Sequence, residues 1–284
     1  MDSSGASEAP SRHTYSVRLV RPFLRLLGKH PGFPHEVLEP LRAMDPDERL
    51  PIVAILELLR GAIELTKDPD IGLKAAREIE PGDYGAVEYA ASSAETVRDS
   101  LELLPRYVSL VNDALHADIQ TENGRCTIRL SSAIALPRAS NDFQVAAFYW
   151  SARRRPAVTK YPPTDISFTH AQPDDVSEYA ITFPGEVVRF GQSYDGLSFD
   201  ASFLDEKLLS ADPKFHNVIR QHAEMLLAEL PRAQSLTESV RVLVMRELSR
   251  GDPSAAHIAD LLHMSSRTLA RRLEDESTAM RSAP

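Results

Sequence analysis

The sequence predicts an α+β fold followed by a small all-α unit, and three observations lead to this prediction. Apolar residues recur at helical spacing over most of the first eighty positions. Short alternating segments follow, and Asn123-Gly124 between two of them is the strongest short signal for a hairpin. Two short amphipathic segments then lie between residues 255 and 274. Helices mixed with short strands are typical of the α+β class.

The first eighty residues are predicted to be helical. Pro51 suits the first turn of a helix, because its ring fixes φ and its missing N–H would have no partner there. The pair Pro81-Gly82 ends the last helix of this region. The predicted helices are Val17–Leu27, which Pro22 interrupts, Ile52–Leu65 and Ile71–Ile79.

The central region alternates predicted helices with predicted strands. Ala94–Leu115 has apolar residues along one face and is predicted as one long helix that Pro105 kinks. Tyr84–Tyr89 fits either a strand or the start of a helix. Three further helices are predicted at Asp142–Arg154, Pro173–Phe183 and Phe215–Leu230. The predicted strands are Ala117–Gln120, Arg125–Leu130, Asp165–His170, Val187–Phe190 and Gly196–Phe199.

Composition argues against membrane and secreted proteins. No stretch approaches the ~20 apolar residues that a membrane helix needs. Met1–Arg12 lacks the apolar core of a secretory signal, and residues 1–14 are expected to form a disordered lead-in. The single cysteine, Cys126, excludes an intrachain disulfide. We therefore expect a cytoplasmic protein with no membrane partner.

The sequence lacks the motifs of common enzymes. It contains no G-x-S-x-G elbow, P-loop, G-x-G-x-x-G or H-E-x-x-H motif. His216 and His222 are six residues apart, share no helix face well, and have no Cys or carboxylate partner at metal-ligand spacing. The acidic pair Asp174-Asp175 lies at a predicted turn or helix start, where carboxylates interact favourably with the helix dipole. We expect no catalytic residues, no metal and no cofactor.

Three other groups of residues have two interpretations each. Arg153-Arg154-Arg155 could contact nucleic acid, but such a run more often closes a helix. His170 fits a ligand contact or a structural role at the end of a strand. A set of aromatic residues could line an apolar ligand pocket or belong to the ordinary core: Phe143, Tyr149, Trp150 and Tyr161.

The C-terminal segment has the pattern of a helix-turn-helix. Leu236–Arg250 is predicted as one helix, which Gly251-Asp252-Pro253 ends. Ser254 and Ser265 can each cap a following short helix, Ala255–Leu262 and Ser266–Glu274 respectively. If these two helices cross, they would bury a set of apolar side chains: Ile258, Ala259, Leu262, Met264, Leu269 and Leu273. The side chains of Arg267, Arg271 and Arg272 would remain exposed.

These exposed residue types suit DNA. A short helix fits the major groove, and an arginine can bond a guanine with two hydrogen bonds. Arg267 and Arg271 are four residues apart and share one face, whereas Ser265 and Ser266 at the helix N-terminus suit a phosphate. The alternative is a solvated, salt-bridged face, because Glu274-Asp275-Glu276 follows the arginines.

The charge distribution separates the two regions. The formal net charge is −9 over 284 residues. Residues 234–284 contain seven basic and seven acidic residues, so the acidic excess lies before residue 234. Because phosphate contacts need Lys and Arg, an electrically neutral DNA-binding region is expected to bind DNA weakly.

The run Ser254–Leu273 resembles the first helix-turn-helix of the AraC/XylS family of bacterial regulators. The shared core is I-A-x-x-L-x-M-S-x-R-T-L-x-R-x-L. Other segments resemble the arabinose-binding-like N-terminal domain of one branch of that family, and the resemblance covers most of residues 15–281. These segments are Asp68–Leu73, Pro81–Gly85, Ile166–His170 with Pro173, and the region of Phe190 and Leu197–Phe199.

The resemblance implies a function for each region. Residues 15–232 would sense an unknown small-molecule effector and form a homodimer. Residues 234–284 would bind double-stranded DNA, with Arg267, Ala270 and Arg271 facing bases and Ala270 offering only an apolar contact. Family members carry two such motifs, whereas this sequence reaches Pro284 just after the first. We therefore expect either a truncated gene product or a natural short form. The alternative function is a ligand-binding or dimerising relative that has lost independent DNA binding.

Overall fold

The computed structural model describes residues 13–154, 158–230, 240, 254–262, 265–271 and 273, with the backbone alone at 35, 37, 260 and 261. The chain divides into two compact units, of which the larger comprises Thr14–Leu50 and Ala54–Leu230. Residues 254–262 and 265–271 belong to the second. None of the helices in these ranges combines the length and the apolar composition that crossing a bilayer requires.

The N-terminal part of the chain is mostly helical from residue 13 onward, as predicted, but it also contains two strands. The strands β1 (Thr14–Ser16) and β2 (Arg49–Pro51) pair in a small sheet. The prediction of helices alone for this region was therefore wrong. The helices are α1 (Arg21–Gly28), α2 (His35–Arg42), α3 (Ile52–Thr66), α4 (Ile71–Ala76) and α5 (Gly85–Ser93).

The predicted long helix Ala94–Leu115 is also wrong. Thr96 caps a short helix, α6 (Val97–Glu102), by exchanging hydrogen bonds with Asp99 in a capping box. A separate helix, α7 (Leu104–Tyr107), follows, with Pro105 in its first turn. Because a proline there cannot continue the hydrogen bonds of a preceding helix, the chain starts a new one. A 3-10 turn at Val108–Leu110 then leads into the first strand of the main sheet.

The hairpin at Asn123-Gly124 is confirmed. It joins β3 (Leu115–Glu122) to β4 (Arg125–Ser132), and Glu122 pairs with Arg125 across the turn. Asn123 and Gly124 have φ angles of 51° and 74°. Positive φ at both central residues matches the strand twist, which explains the Asn-Gly preference.

The main sheet has five strands in the order β3-β4-β7-β5-β6. Strand β4 pairs antiparallel with β7, whereas β5 and β6 run parallel to each other. The α+β prediction is confirmed for this unit. The remaining elements are α8 (Arg138–Arg154), β5 (Asp165–Ser167), α9 (Ser177–Thr182), β6 (Val187–Arg189), β7 (Asp195–Asp200) and α10 (Pro213–Glu229).

Helices α4 and α8 pack closely through one glycine. A Cβ atom on Gly72 would overlap the carbonyl oxygen of Ala139. Helix α10 packs against α5, and its Glu224 accepts hydrogen bonds from Arg106 and Tyr107 of α7.

The described residues of the second unit include α11 (Ala255–Leu261) and a helical segment at 266–271. Both agree with the predicted short helices. The predicted helix Leu236–Arg250 lies outside the described residues, apart from Val240, which is helical. Residues 1–12 of the predicted lead-in also lie outside them, and Thr14 begins β1.

Candidate functional site

Two serines begin the short helices of the second unit, as the sequence predicts. Ser254 Oγ accepts a hydrogen bond from the N–H of His257 at 3.2 Å. Ser265 Oγ accepts one from the N–H of Thr268 at 3.1 Å and lies 2.8 Å from the Thr268 hydroxyl. Each bond satisfies a backbone N–H that the first turn of a helix leaves without a partner.

A small apolar core joins α11 to the following helical segment. Ile258, Ala259 and Leu269 are buried together, and Leu262 and Leu273 pack against them. This set agrees with the predicted core, apart from Met264, which lies outside the described residues. The core fixes which face of residues 266–271 points outward.

All five predicted DNA-binding residues are exposed: Ser265, Ser266, Arg267, Ala270 and Arg271. Arg267 and Arg271 are one helical turn apart on the same side, because residues four apart lie on one face. Arg272 has no described position. The structure therefore brings two guanidinium groups and a capped helix N-terminus to one exposed surface.

The larger unit contains a cavity of about 230 Å³. Its wall consists mainly of apolar side chains from α5, α6, α8 and the strands β3, β4 and β7. Of the aromatic residues considered from the sequence, Phe143, Tyr149 and Tyr161 contribute to this wall, whereas Trp150 is not among its described residues. A mostly apolar cavity with a few polar groups is typical of a small-molecule site.

Asn112 is a polar residue of this wall that sequence reasoning missed. Its side-chain Oδ1 accepts the N–H of Ala114 at 3.0 Å, but its Nδ2 has no hydrogen-bond partner in the described parts of the chain. A buried donor without a partner costs about 1–3 kcal/mol. The sequence offers no signal for it beyond an asparagine that follows an apolar run.

Arg153 lies on the same wall and is held from several sides. Its Nη2 donates to Glu186 Oε1 at 2.9 Å and to the Thr164 hydroxyl at 3.1 Å. Its guanidinium carbon lies 3.7 Å from the centre of the Tyr149 ring. Arg154 donates to the carbonyl of Arg77, and both arginines lie in the last turn of α8. The structure thus favours the helix-closing interpretation for these two residues; Arg155 lies outside the described residues.

His170 belongs to a buried hydrogen-bond network outside the described cavity wall. Its Nε2 lies 3.0 Å from Oδ1 of Asp142, and the Tyr179 hydroxyl donates to Oδ2 of the same carboxylate at 2.9 Å. Burial, the largest single influence, would lower the pKa of His170, but the hydrogen bonds to Asp142 and to the backbone of Ala171, together with the charge of Asp142, raise that pKa overall. Of the two interpretations of His170, these contacts support the structural one.

The larger unit matches a known protein domain. The arabinose-binding domain found at the N-terminus of AraC transcription regulators matches residues 38–208, more than half of the chain. The chain belongs to the AraC family of transcription regulators. The matched region contains the cavity-wall residues Asn112 and Arg153.

Two relatives of this AraC-family regulator cover most of its length. The HTH-type transcriptional regulator VirS of Mycobacterium tuberculosis is 29% identical over 259 residues, which are 90% of this chain and 73% of VirS. The ornithine utilization regulator of Pseudomonas aeruginosa is 26% identical over 239 residues, covering 82% of this chain and 69% of the relative. Both are bacterial regulators rather than enzymes.

A crystal structure shares the fold of this regulator. The transcriptional regulator CdpR from Pseudomonas aeruginosa superposes with a TM-score of 0.53 at 20% sequence identity. The match covers 91% of this chain and 79% of that one.

Proposed function

We propose that this regulator acts in the cytoplasm by binding promoter DNA through residues 265–271, under the control of a small-molecule effector. Residues 15–232 form the effector-sensing and dimerisation domain, and residues 234–284 form the all-α DNA-binding domain. The observation that carries the proposal is the exposed pair Arg267 and Arg271, held one turn apart on a capped helix.

The chemistry of this surface suits double-stranded DNA. The guanidinium groups of Arg267 and Arg271 would reach guanine edges in the major groove. Ser265 and Ser266 lie at the helix N-terminus, where hydroxyls and backbone N–H groups favour a phosphate. The Ala270 methyl lies between the arginines in sequence and would meet an apolar group such as the methyl of a thymine.

Effector control would act by population shift. A ligand changes an equilibrium between two conformations only by the difference in its affinity for them. The cavity of about 230 Å³ in the larger unit is the candidate effector site. A ligand that binds it more tightly in one conformation would change how the DNA-binding surfaces of a dimer are presented.

Self-association would compensate for a small contact surface. A single DNA-binding module buries only about 600–1,000 Å² of protein surface on DNA, so two modules in a homodimer bind more tightly than one. Helix α10 supplies a candidate surface, because its Val218 and Met225 are 62% and 61% exposed and lie on one face.

A second candidate function is a ligand-binding, dimerising protein without independent DNA binding. The equal numbers of acidic and basic residues in 234–284 favour it, since a neutral region gains little from releasing counterions. Such a protein would act by pairing with another regulator that does bind DNA.

A gel-shift assay with the DNA upstream of the chain's own gene distinguishes the DNA-binding regulator from the dimerising protein without independent DNA binding. We expect the full chain to shift this DNA, and Arg267→Ala combined with Arg271→Ala to abolish the shift. The control variant Lys29→Ala with Lys207→Ala removes two positive charges from exposed positions of the larger unit. A wild-type chain that shifts no DNA, or a double arginine variant that shifts it normally, contradicts the proposal.

A further inference from the structure

Two polar groups on the cavity wall have unused hydrogen-bond donors. All hydrogen bonds of Arg153 to described residues leave from Nη2, so Nε–H and Nη1–H₂ have no partner among them. Asn112 Nδ2 is also unpaired, and the amide cannot simply be turned over because its Oδ1 already serves the N–H of Ala114. Both groups are complementary to an acceptor.

The charges around Arg153 favour an uncharged acceptor. Glu186 neutralises the guanidinium, and its other oxygen accepts the N–H of Thr164 at 2.7 Å, which holds the carboxylate in place. Glu88 is the other charged residue of the described wall, and its carboxylate accepts the N–H of Gly82 at 2.8 Å. An anionic ligand would therefore bring an uncompensated charge into an apolar space, which is unfavourable.

The size of the cavity bounds the ligand. An apolar cavity of about 150 Å³ admits benzene, so 230 Å³ is enough for a substituted ring or a short alkyl chain. The tyrosine rings beside Arg153 keep its guanidinium at the wall, since its carbon lies 3.7 Å from the centre of the Tyr149 ring and 4.9 Å from that of Tyr161.

We infer that the effector is an uncharged, mostly apolar molecule with a carbonyl oxygen, and that Arg153 is the specificity-determining residue that binds this oxygen. The inference deepens the proposed effector response and rests on it for its regulatory meaning. Ligand binding itself is independent of DNA, so the two proposals can fail separately.

Calorimetric titration of the full chain with three probes tests this inference. The probes are acetophenone, ethylbenzene, which lacks the oxygen, and benzoate, which is charged. We expect acetophenone to bind about tenfold more tightly than ethylbenzene, because hydrogen bonds to charged groups are the stronger ones. Benzoate should bind more weakly than acetophenone.

Two variants make the result specific. Arg153→Lys retains a positive charge for Glu186 but lacks the additional N–H donors of the guanidinium. The ratio of the affinities for acetophenone and ethylbenzene should therefore fall below about threefold. Ala147→Leu fills the cavity with apolar atoms and should abolish the binding of acetophenone and ethylbenzene. The thermal unfolding of each variant shows whether it remains folded.

Several results would overturn the inference. They are equal binding of acetophenone and ethylbenzene by the wild type, tightest binding of benzoate, an unchanged preference in Arg153→Lys, normal binding by Ala147→Leu, and no binding of any probe. If the probes bind as expected but the chain binds no DNA, the ligand site stands and the proposed DNA-binding function fails.

Discussion

The imidazole Nε2 of His170 lies 3.0 Å from Oδ1 of Asp142, a carboxylate that is fully buried on α8. The contact ties the loop after β5 to the helix that lines the cavity. Because this hydrogen bond, the one to the backbone of Ala171 and the charge of Asp142 together overcome the effect of burial and raise the pKa of His170 above its value in the unfolded chain, the protonated histidine stabilises the fold. That stabilisation is present below pH ~6.5 and is lost as pH rises through the folded-state pKa.

Replacing His170 should therefore matter most at low pH. We expect His170→Gln to lower the melting temperature at pH 5.5, and the gap to the wild type to narrow as pH approaches 8.5. Thermal unfolding followed by circular dichroism over this range measures the gap. Parallel curves for the two proteins would show that the pair contributes no pH-dependent stability.

The close packing of α4 on α8 gives a test of stability. Gly72→Ala should reduce the free energy of unfolding by at least about 2 kcal/mol, since the new methyl group would overlap the Ala139 carbonyl. Gly61→Ala on α3 is the matched control, because its new methyl group would meet no atom within 4 Å, and it should stabilise by about 0.5–1 kcal/mol. Urea denaturation measures both. If the two substitutions changed the free energy of unfolding equally, α4 and α8 would not pack as closely as described.

Local rules predicted part of this fold. Asn123-Gly124 identified the hairpin because the turn needs positive φ at two adjacent residues. The same kind of rule failed for Ala94–Leu115, where apolar spacing continued across a break that Thr96 and Pro105 impose. The pair β1 and β2 escaped prediction because each strand has three residues and their partners lie about 35 positions apart.

The two candidate sites, the DNA-binding surface and the cavity, also differ in how well the sequence predicts them. The exposed surface around Arg267 and Arg271 could be predicted because one short contiguous motif builds it. The cavity could not, because its wall joins residues as distant in sequence as Tyr15 and Leu208. The aromatic residues Phe143 and Tyr149 were candidates for a pocket wall, but their spacing in the sequence fits a filled core equally well.

Ser265 allows its capping role to be separated from a phosphate contact. Ser265→Ala should cost about 1 kcal/mol of helix stability and weaken DNA binding. Ser265→Asp restores the cap but brings a negative charge to the phosphate, so it should bind DNA more weakly than Ser265→Thr. Circular dichroism and DNA titration measure the two effects. Equal DNA affinity for the Asp and Thr variants would exclude a phosphate at this position.

The proposed homodimer depends on an exposed apolar surface. Val218→Lys combined with Met225→Lys should convert a dimer into a monomer, because the charges cannot be buried between two copies. Asn217→Lys, on the same helix but not on the face that carries Val218 and Met225, should leave the dimer intact. Light scattering after gel filtration measures the mass. A wild-type monomer at all concentrations, or a double variant that stays dimeric, contradicts this interface.

The most direct test of the proposed DNA-binding function is the salt dependence of DNA binding by the full chain. Fluorescence anisotropy with labelled upstream DNA, between 50 and 200 mM salt, should show affinity that falls as salt rises, since phosphate contacts release counterions. Arg267→Ala with Arg271→Ala should weaken binding at least about tenfold, because each arginine–guanine pair contributes about 1–3 kcal/mol. A DNA affinity that does not change with salt concentration, or a double variant with wild-type affinity, would contradict this function.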